Sequence, residues 1–539
     1  MRHGATAVAL VLATLLLHLV LVLPHRPDEM NATAFARIPL ELPVLLGLLV
    51  ATARWRTVSQ ALRVIFVAAL TLAVILKIAD YALFETFSRP FNPVTDLFVF
   101  PAGMNLLSGT IGPAAAIAVA GGATVAVILL ALALAWAMGR WSRPVARPAL
   151  RRGAGLVALA FAAAVALDVA RPLPIDPPGS TAATRFALGH VARARAGVRD
   201  LADYRRAAAT DPYAGTPGLF ARLDGRDVLV LFVESYGRAS MDNPLYAATH
   251  VPTLRAADAA LTEAGLAARS FWLTSPIAGG QSWLAHGTFA SGLETADQAR
   301  YGAMLTSRRR TLYHLAQAAG YQTAAVMPAI TLPWPEGGRI GFETVLDAAD
   351  LGYEGLPFNW VTMPDQYTLA TWPGLLPPDP RPDLVQVALI SSHAPWVPVP
   401  EMVAWEEVGT GRIFDSMALA GEPPSVVWQD RDRVRDQYRL ATDYALQAAF
   451  SFVARQSGPD APLVIVLGDH PPVSWVSQIE PRDVPVHLIG PPEALALFDD
   501  WDMTAGLVPD QTSPVWPMEA FRDRFLDATR APSSAGGGS

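Results

Sequence analysis

Four short stretches of this sequence end in residues able to do chemistry. "DVLVLFVES" runs apolar from Asp227 to Val233 and then stops on Glu234 and Ser235. "VLGDHPP" (466–472) ends a second such run on Asp469 and His470, and "ALISSHAPW" (388–396) puts His393 just past a third. The fourth, "SPIAGGQSWLAHGTFASG" (275–292), carries two glycines and then Ser282 at the expected start of a helix. A carboxylate at the end of a buried run loses hydration, and a divalent cation can replace it. A hydroxyl at a helix amino terminus faces unpaired N–H groups and the positive end of the dipole, a setting that suits phosphate or sulfate. Coordination to a metal is one way to activate so weak a nucleophile. Taken singly, Glu234 fits a helix cap or a surface ion pair, and Ser282 fits an ordinary N-cap. The set is harder to read that way, because separate strand ends deliver two acids and two imidazoles.

The elements that must position these residues follow from the pattern around them. Apolar, β-branched runs occur at 227–233, 321–328, 384–391, 462–467 and 484–490, with an extra strand expected at 268–274. Helical patterns lie between them at 252–264, 282–291, 307–319, 364–371 and 431–455. Strands without in/out alternation, separated by helices, predict a mostly parallel sheet covered on both faces. Ligands in such folds gather at the carboxyl ends of the strands.

The 539 residues are 52% hydrophobic and 17% charged, with a mean hydropathy of +0.29. The apolar residues concentrate before about residue 170. Runs at 5–23, 38–53, 61–85, 112–138 and 153–170 each approach the ~20 residues needed to cross hydrocarbon, and the second is interrupted at its start by Pro39, Glu41 and Pro43. Ala32-Thr33-Ala34 resembles a signal cleavage site, but the first apolar run is long and the site lies well beyond it, so an uncleaved anchor is expected. Arg54, Arg56 and Arg63 fall in one loop and Arg140, Arg143, Arg147, Arg151 and Arg152 in another; the alternate loops carry Arg26, Arg37 and Arg89 mixed with Asp28, Glu29 and Asp96. The positive-inside rule then predicts a cytoplasmic amino terminus and an extracytoplasmic chain after about residue 171. Lys77, Asp80 and Glu85 near the end of the third span read as snorkelling charges or a local ion pair, with a direct role in substrate entry as the alternative. A formal net charge of −7 argues against nucleic acid as a partner. The absence of cysteine excludes disulfides, thiolate ligands and a cysteine nucleophile. The expected domains are five transmembrane helices (1–170), a Pro-, Ala- and Arg-rich connector (171–225), an extracytoplasmic α/β domain (226–527) and a disordered tail (528–539).

With these motifs in place, the chain resembles the membrane-bound branch of the alkaline phosphatase/sulfatase superfamily, in particular lipoteichoic acid synthases and phosphoethanolamine transferases. "VLFVES" matches the strand ending in a metal-ligand glutamate, "GGQSWLAH" falls where those enzymes place their nucleophile, "LGDH" matches an aspartate–histidine ligand pair, and "SSHAPW" is similar to the substrate-side histidine segment. The resemblance implies a sulfatase-like fold and one divalent metal ion, zinc or manganese, held by Glu234, Ser282, Asp469 and His470. It implies that Ser282 is the nucleophile and that His393 contacts the transferred phosphate or the leaving group. It places Trp334 and Arg339, in "LPWPEGGRIGFE", at the substrate pocket.

The chain departs from the pattern in carrying serine where these transferases generally use threonine, and in lacking the disulfides common among phosphoethanolamine transferases, which favours the phosphoglycerol branch. Ser282-Trp283-Leu284-Ala285-His286 lacks the small residue or proline at the third position and the arginine at the fifth that formylglycine sulfatases need. No second Asp and His ligand set is evident, so one metal is expected. His286, one helical turn after Ser282, could enter the pocket; His487 reads as a satisfied core residue and Asp443 as structural. The reaction so implied moves a phospho-alcohol head group (phosphoglycerol or phosphoethanolamine) from a membrane phospholipid donor through a phosphoserine to a glycan or lipid acceptor, at the cytoplasmic membrane of a bacterium. The alternatives are a membrane-anchored phosphodiesterase, phosphatase or sulfatase-like hydrolase and a non-catalytic scaffold or sensor.

Overall fold

A computed structural model of the chain describes residues 2–98, 100, 103–104, 107–108, 112–143, 147–170 and 179–532. Much of the expected connector start (171–178) and of the expected tail (533–539) lies outside the described residues. The chain divides into two units, Met1–Asp200 and Leu201–Ser539.

In the first unit the longer helices are α1 (Arg2–Val22), α2 (Glu41–Thr52), α3 (Arg56–Phe87), α4 (Pro113–Trp141), α5 (Pro148–Ala170) and α6 (Ala182–Ala208), the last running on past the division. All five expected apolar segments are helical, but four are long and apolar enough to cross a membrane: α1 over Ala5–Val22, α3, α4 and α5. The twelve residues of α2 rise about 18 Å, short of a ~30 Å hydrocarbon core. Its start is trimmed because Ile38 and Pro39 pair with Gly179 and Ser180 as a short parallel bridge. Large apolar side chains such as Val8, Leu15, Ile65, Ile117, Leu129 and Leu159 point outward, the distribution of helices that meet an apolar solvent. Charged groups gather at one end of the bundle. Lys77 donates to the carbonyls of Val20 and Leu21, Asp80 accepts from Phe91 N, and Glu41 accepts from Thr184 N at the start of α6. At the other end Arg63 reaches the Ala135 carbonyl.

The second unit is built on a nine-stranded sheet. In chain order its main elements are β1 (Val228–Val233), α7 (Pro244–Glu263), β2 (Ala267–Thr274), α8 (Ser282–Ser291), α9 (Gln298–Leu305), α10 (Leu312–Ala318), β3 (Gln322–Met327), β4 (Thr344–Asp347), α11 (Asp365–Thr371), β5 (Asp383–Leu389), α12 (Arg431–Ala454), β6 (Leu463–Gly468), β7 (Asp483–Gly490), β8 (Thr504–Ala505), β9 (Val515–Pro517) and α13 (Ala520–Thr529). The order across the sheet is β8-β2-β7-β6-β1-β5-β3-β4, with β9 on β2. Strands β6, β1, β5, β3 and β4 are mutually parallel, whereas β7 runs antiparallel to both β6 and β2. The lack of alternation in "VLVLFV" now has its cause. Val228, Val230 and Phe232 enter one core and Leu229, Leu231 and Val233 the other, so both faces of the central strand are covered. Leu219, Phe220 and Leu223, from the segment expected as connector, join the first of these cores.

Candidate active site

The parallel register sets the level of the site. Val233, the last residue of β1, pairs with Leu389 of β5 and with Gly468 of β6. The residues that follow therefore leave the sheet side by side, and Glu234 and Asp469 emerge on one rim. The chain is tightly packed there: a Cβ on Gly468 would lie 1.8 Å from the Tyr236 carbonyl oxygen. Only glycine lets the turn after β1 cross in front of β6.

Glu234, Asp469 and His470 form a buried cluster whose ligand atoms lie within 4.8 Å of one another. Ser282, the first residue of α8, follows Gly279, Gly280 and Gln281, all at positive φ; Gly279 N donates to the Pro471 carbonyl at 2.9 Å, tying this loop to the one after β6. Ser282 Oγ donates to Glu234 Oε2 at 2.8 Å and stands 3.2 Å from His470 Nε2. His470 Nδ1 lies 2.9 Å from the Pro471 carbonyl, which can only accept. Nδ1 therefore carries a proton, and Nε2 faces Glu234 Oε1 at 3.3 Å and Asp469 Oδ2 at 3.8 Å. Asp469 Oδ1 accepts from Ser235 N and His470 N at 2.9 and 2.6 Å, and Ser235 Oγ donates to Glu234 Oε1 at 2.8 Å.

Burial works against charge on all three groups, and their neighbours decide the outcome. It would raise Glu234, but the adjacent His470 holds that carboxyl well below its ordinary range. Asp469 is pushed up to about 7 by burial and by the charge of Glu234. Burial would lower His470, yet the carboxylates of Asp469 and Glu234 push it up to about 9. Two carboxylates, an imidazole and a hydroxyl thus share a dry pocket in which one proton does the work of a cation. The donor set fits a divalent ion. It combines hard oxygens with a nitrogen whose ring is fixed by an outer hydrogen bond, as imidazole ligands usually are.

His393 is exposed past the end of β5, near enough for its charge to act on Glu234. Trp334 and Arg339 follow β3, two strands from β1. Trp334 is half-buried against the core beside Phe342, and Arg339 is exposed on the short helix Glu336–Ile340. Neither shares a hydrogen bond or ion pair with the cluster among the described residues. His286 lies beneath the site with its ring 4.0 Å from that of Phe232; its Nε2 is buried without a partner, and burial pushes it down to about 4. His487 is satisfied in the core by Tyr236 and Ser270. Asp443 accepts from Thr253 and Gln447.

Two supporting residues were not singled out from the sequence. Asp365, wholly buried at the start of α11, accepts from Ile390 N and Ser391 N at 2.7 and 3.0 Å, fixing the chain from which His393 projects; burial pushes it up to about 6. Ser392 Oγ donates to the Glu234 carbonyl at 2.6 Å, joining the ends of β5 and β1. The serine pair in "SSHAPW" was the available signal for Ser392. Asp365, in "MPDQYT", had none.

Residues 226–481 match the Sulfatase family model. No curated protein matches the chain. Among solved structures, the lipoteichoic acid synthase LtaP from Listeria monocytogenes is 12% identical over 62% of this chain and 78% of that one, with a TM-score of 0.38. The C-terminal periplasmic domain of EcEptC from Escherichia coli, in complex with Zn, is 13% identical over 57% and 82% of the two chains, with a TM-score of 0.39. The Streptococcus pyogenes phosphoglycerol transferase GacH, in complex with sn-glycerol-1-phosphate, is 13% identical over 61% and 80%, with a TM-score of 0.38.

Proposed function

We propose that this membrane-anchored member of the alkaline phosphatase/sulfatase superfamily, whose sulfatase-like domain covers residues 226–481, transfers a phospho-alcohol head group from a membrane phospholipid to a glycan or lipid acceptor. The observation that carries the reading is the Ser282 hydroxyl, hydrogen-bonded at 2.8 Å to a buried carboxylate at the amino terminus of a helix. Held by Glu234, Ser282, Asp469 and His470, a zinc or manganese ion would supply Lewis acidity that lowers the cost of the serine alkoxide.

Ser282 Oγ attacks the phosphorus of the donor as its proton passes toward Glu234. A new P–Oγ bond forms, the bond from phosphorus to the diacylglycerol oxygen breaks, and diacylglycerol leaves with a proton given by His393. The acceptor hydroxyl then gives its proton to the deprotonated His393 and displaces Oγ from phosphorus, and Ser282 recovers its proton from Glu234. Backbone N–H groups at the start of α8 face the phosphoryl oxygens during both steps. Phosphoglycerol is favoured over phosphoethanolamine by the absence of cysteine. Trp334 and Arg339 are proposed as head-group contacts. The apolar helices tether the chain to the membrane that contains the donor, which raises the donor's effective concentration, and the arginine distribution favours a cytoplasmic amino terminus and an extracytoplasmic catalytic domain in a bacterial cytoplasmic membrane.

Intact-protein mass spectrometry after incubation with bacterial phospholipids and a divalent metal tests the reading. The expected result is a head-group adduct on Ser282, absent from Ser282→Ala, with diacylglycerol released. An adduct that turns over without any acceptor would assign water to the second step and make the enzyme a hydrolase. Neither adduct nor diacylglycerol would refute a phospholipid donor.

A further inference from the structure

The helical unit holds a cavity of about 410 Å³ at the end of the bundle where α1 stops. Its wall includes Val22, the last residue of the apolar span Ala5–Val22, together with Leu23 and Phe186. Apolar surface therefore gives way to polar surface within it. Arg37, Lys77, Arg185 and Arg193 line the cavity against two acids, Asp28 and Glu29. Asp28 accepts from Arg26 Nε at 3.1 Å, Glu29 faces His25 Nδ1 at 3.7 Å, and Arg185 Nη2 donates to Asp168 Oδ2 at 2.8 Å.

Two donors in this wall remain unspent. Lys77 is the only lysine in the chain and is 3% exposed. An ammonium carries three N–H donors; two reach the Val20 and Leu21 carbonyls at 3.2 and 3.0 Å, where the negative end of the α1 dipole favours a cation. The third has no acceptor among the described residues. Arg193 Nε is buried with no partner, and Arg193 Nη2 is 3.8 Å from Asp80 Oδ2. Asp80 is shared with Phe91 N and His190. A buried donor left unpaired costs free energy that a ligand acceptor recovers.

We propose that this cavity binds the phosphate of an anionic phospholipid, with Lys77 and Arg193 donating to its oxygens and Arg37 adding positive charge. A phosphate diester supplies acceptors only, the complement of this donor set. The two unspent donors are both cationic, which favours a lipid of net negative charge over a zwitterion. The position at the end of an apolar span is the depth at which lipid phosphates lie, which favours a lipid over a free phosphate ester. The inference uses the helical unit alone and stands apart from the chemistry at Ser282.

Because Lys77 is the only lysine, labelling the full-length protein with ¹⁵N-lysine gives one backbone amide resonance that reports on this cavity and on no other site. In maltoside micelles, short-chain phosphatidylglycerol should shift that resonance saturably and phosphatidylcholine should do so more weakly. Arg193→Gln should raise the half-saturating concentration about tenfold, as loss of a charge-assisted hydrogen bond does. Arg37→Gln, an exposed change, should raise it less and serves as the test if Arg193→Gln fails to fold. No shift with phosphatidylglycerol, or equal half-saturation in wild type and both variants, would overturn the proposal. Full shift by glycerol 1-phosphate at the same concentration would overturn the lipid source and assign a soluble phosphate ester.

Discussion

Loading the site with a divalent cation should expel protons, and the number can be worked from the groups that surround it. At pH 7 His470, pushed up to about 9, carries roughly one proton, and Asp469, pushed up to about 7, carries roughly half of one. Glu234, held well below its ordinary range, carries none. All three must offer lone pairs to the ion, so roughly 1.5 protons should leave per ion bound at pH 7, before any from Ser282. Affinity should accordingly rise with pH by roughly 1.5 logarithmic units per pH unit near neutrality, and level off above about pH 9, where the free site is already deprotonated. Calorimetric titration with Zn or Mn, in buffers of one pH but different ionisation enthalpies, reads the proton count as the slope of apparent heat against buffer enthalpy. His470→Gln should lower the count by less than one, because it removes the imidazole proton and also the charge that holds Glu234 down. Binding at pH 7 without proton release, or the same release in His470→Gln, would refute the coupled cluster as the metal site.

Gly468→Ala should push the turn after β1 away from β6, because the new Cβ would meet the Tyr236 carbonyl at 1.8 Å. A loss of about 1–3 kcal/mol or more in stability is expected, with metal affinity falling alongside, read by thermal unfolding with and without the ion. Phe289 is fully buried, stacked on Phe521 at 4.4 Å and edge-on to Phe232 at 5.4 Å; Phe289→Ala should cost about 3–5 kcal/mol in urea unfolding followed by tryptophan fluorescence. His250 donates to the Arg439 carbonyl at 2.8 Å, and burial pushes it down to about 4. The unfolded chain therefore binds more protons than the folded one between about pH 4 and 6.5, and stability should rise across that window by up to about 1.4 kcal/mol per pH unit from this group. His250→Gln should flatten the dependence by that amount, and an unchanged slope of urea midpoint against pH would count against a buried neutral imidazole.

The central strands were legible because their signal is local. The run expected at 227–233 is β1 at Val228–Val233, and those expected at 462–467 and 484–490 are β6 at Leu463–Gly468 and β7 at Asp483–Gly490. Once those runs are taken as parallel neighbours, Glu234 and Asp469 must share a rim, which is why the meeting of Glu234, Asp469 and His470 was legible in the sequence. Strand direction was not legible: an apolar run buried on both faces looks the same either way, and β7 is antiparallel. The edge strands β4, β8 and β9, of four, two and three residues, carry too little pattern to mark themselves. Helix α7 begins at Pro244, eight positions before the expected start, because Pro252 reads as a helix opening and here sits inside one. Asp365 escaped notice because it serves backbone N–H groups, a role any buried acid could play and no spacing announces.

The position of β1 also governs how the domain comes to be folded. It is the first strand of the nine-stranded sheet to emerge from the translating chain, yet its partners are β5 and β6, and Ser235 and Asp469, which hydrogen-bond across the site, stand 234 positions apart. One apolar edge can pair once β5 is complete at Leu389, but the other waits for β6, when nearly all of the sulfatase-like segment has been synthesised. Contacts of such long range must overcome loop-closure entropy before they stabilise anything, and they slow folding. The interval between the arrival of β1 and of β6 is therefore the period of greatest exposure to aggregation, and the cluster of Glu234, Asp469 and His470 can form only when it ends.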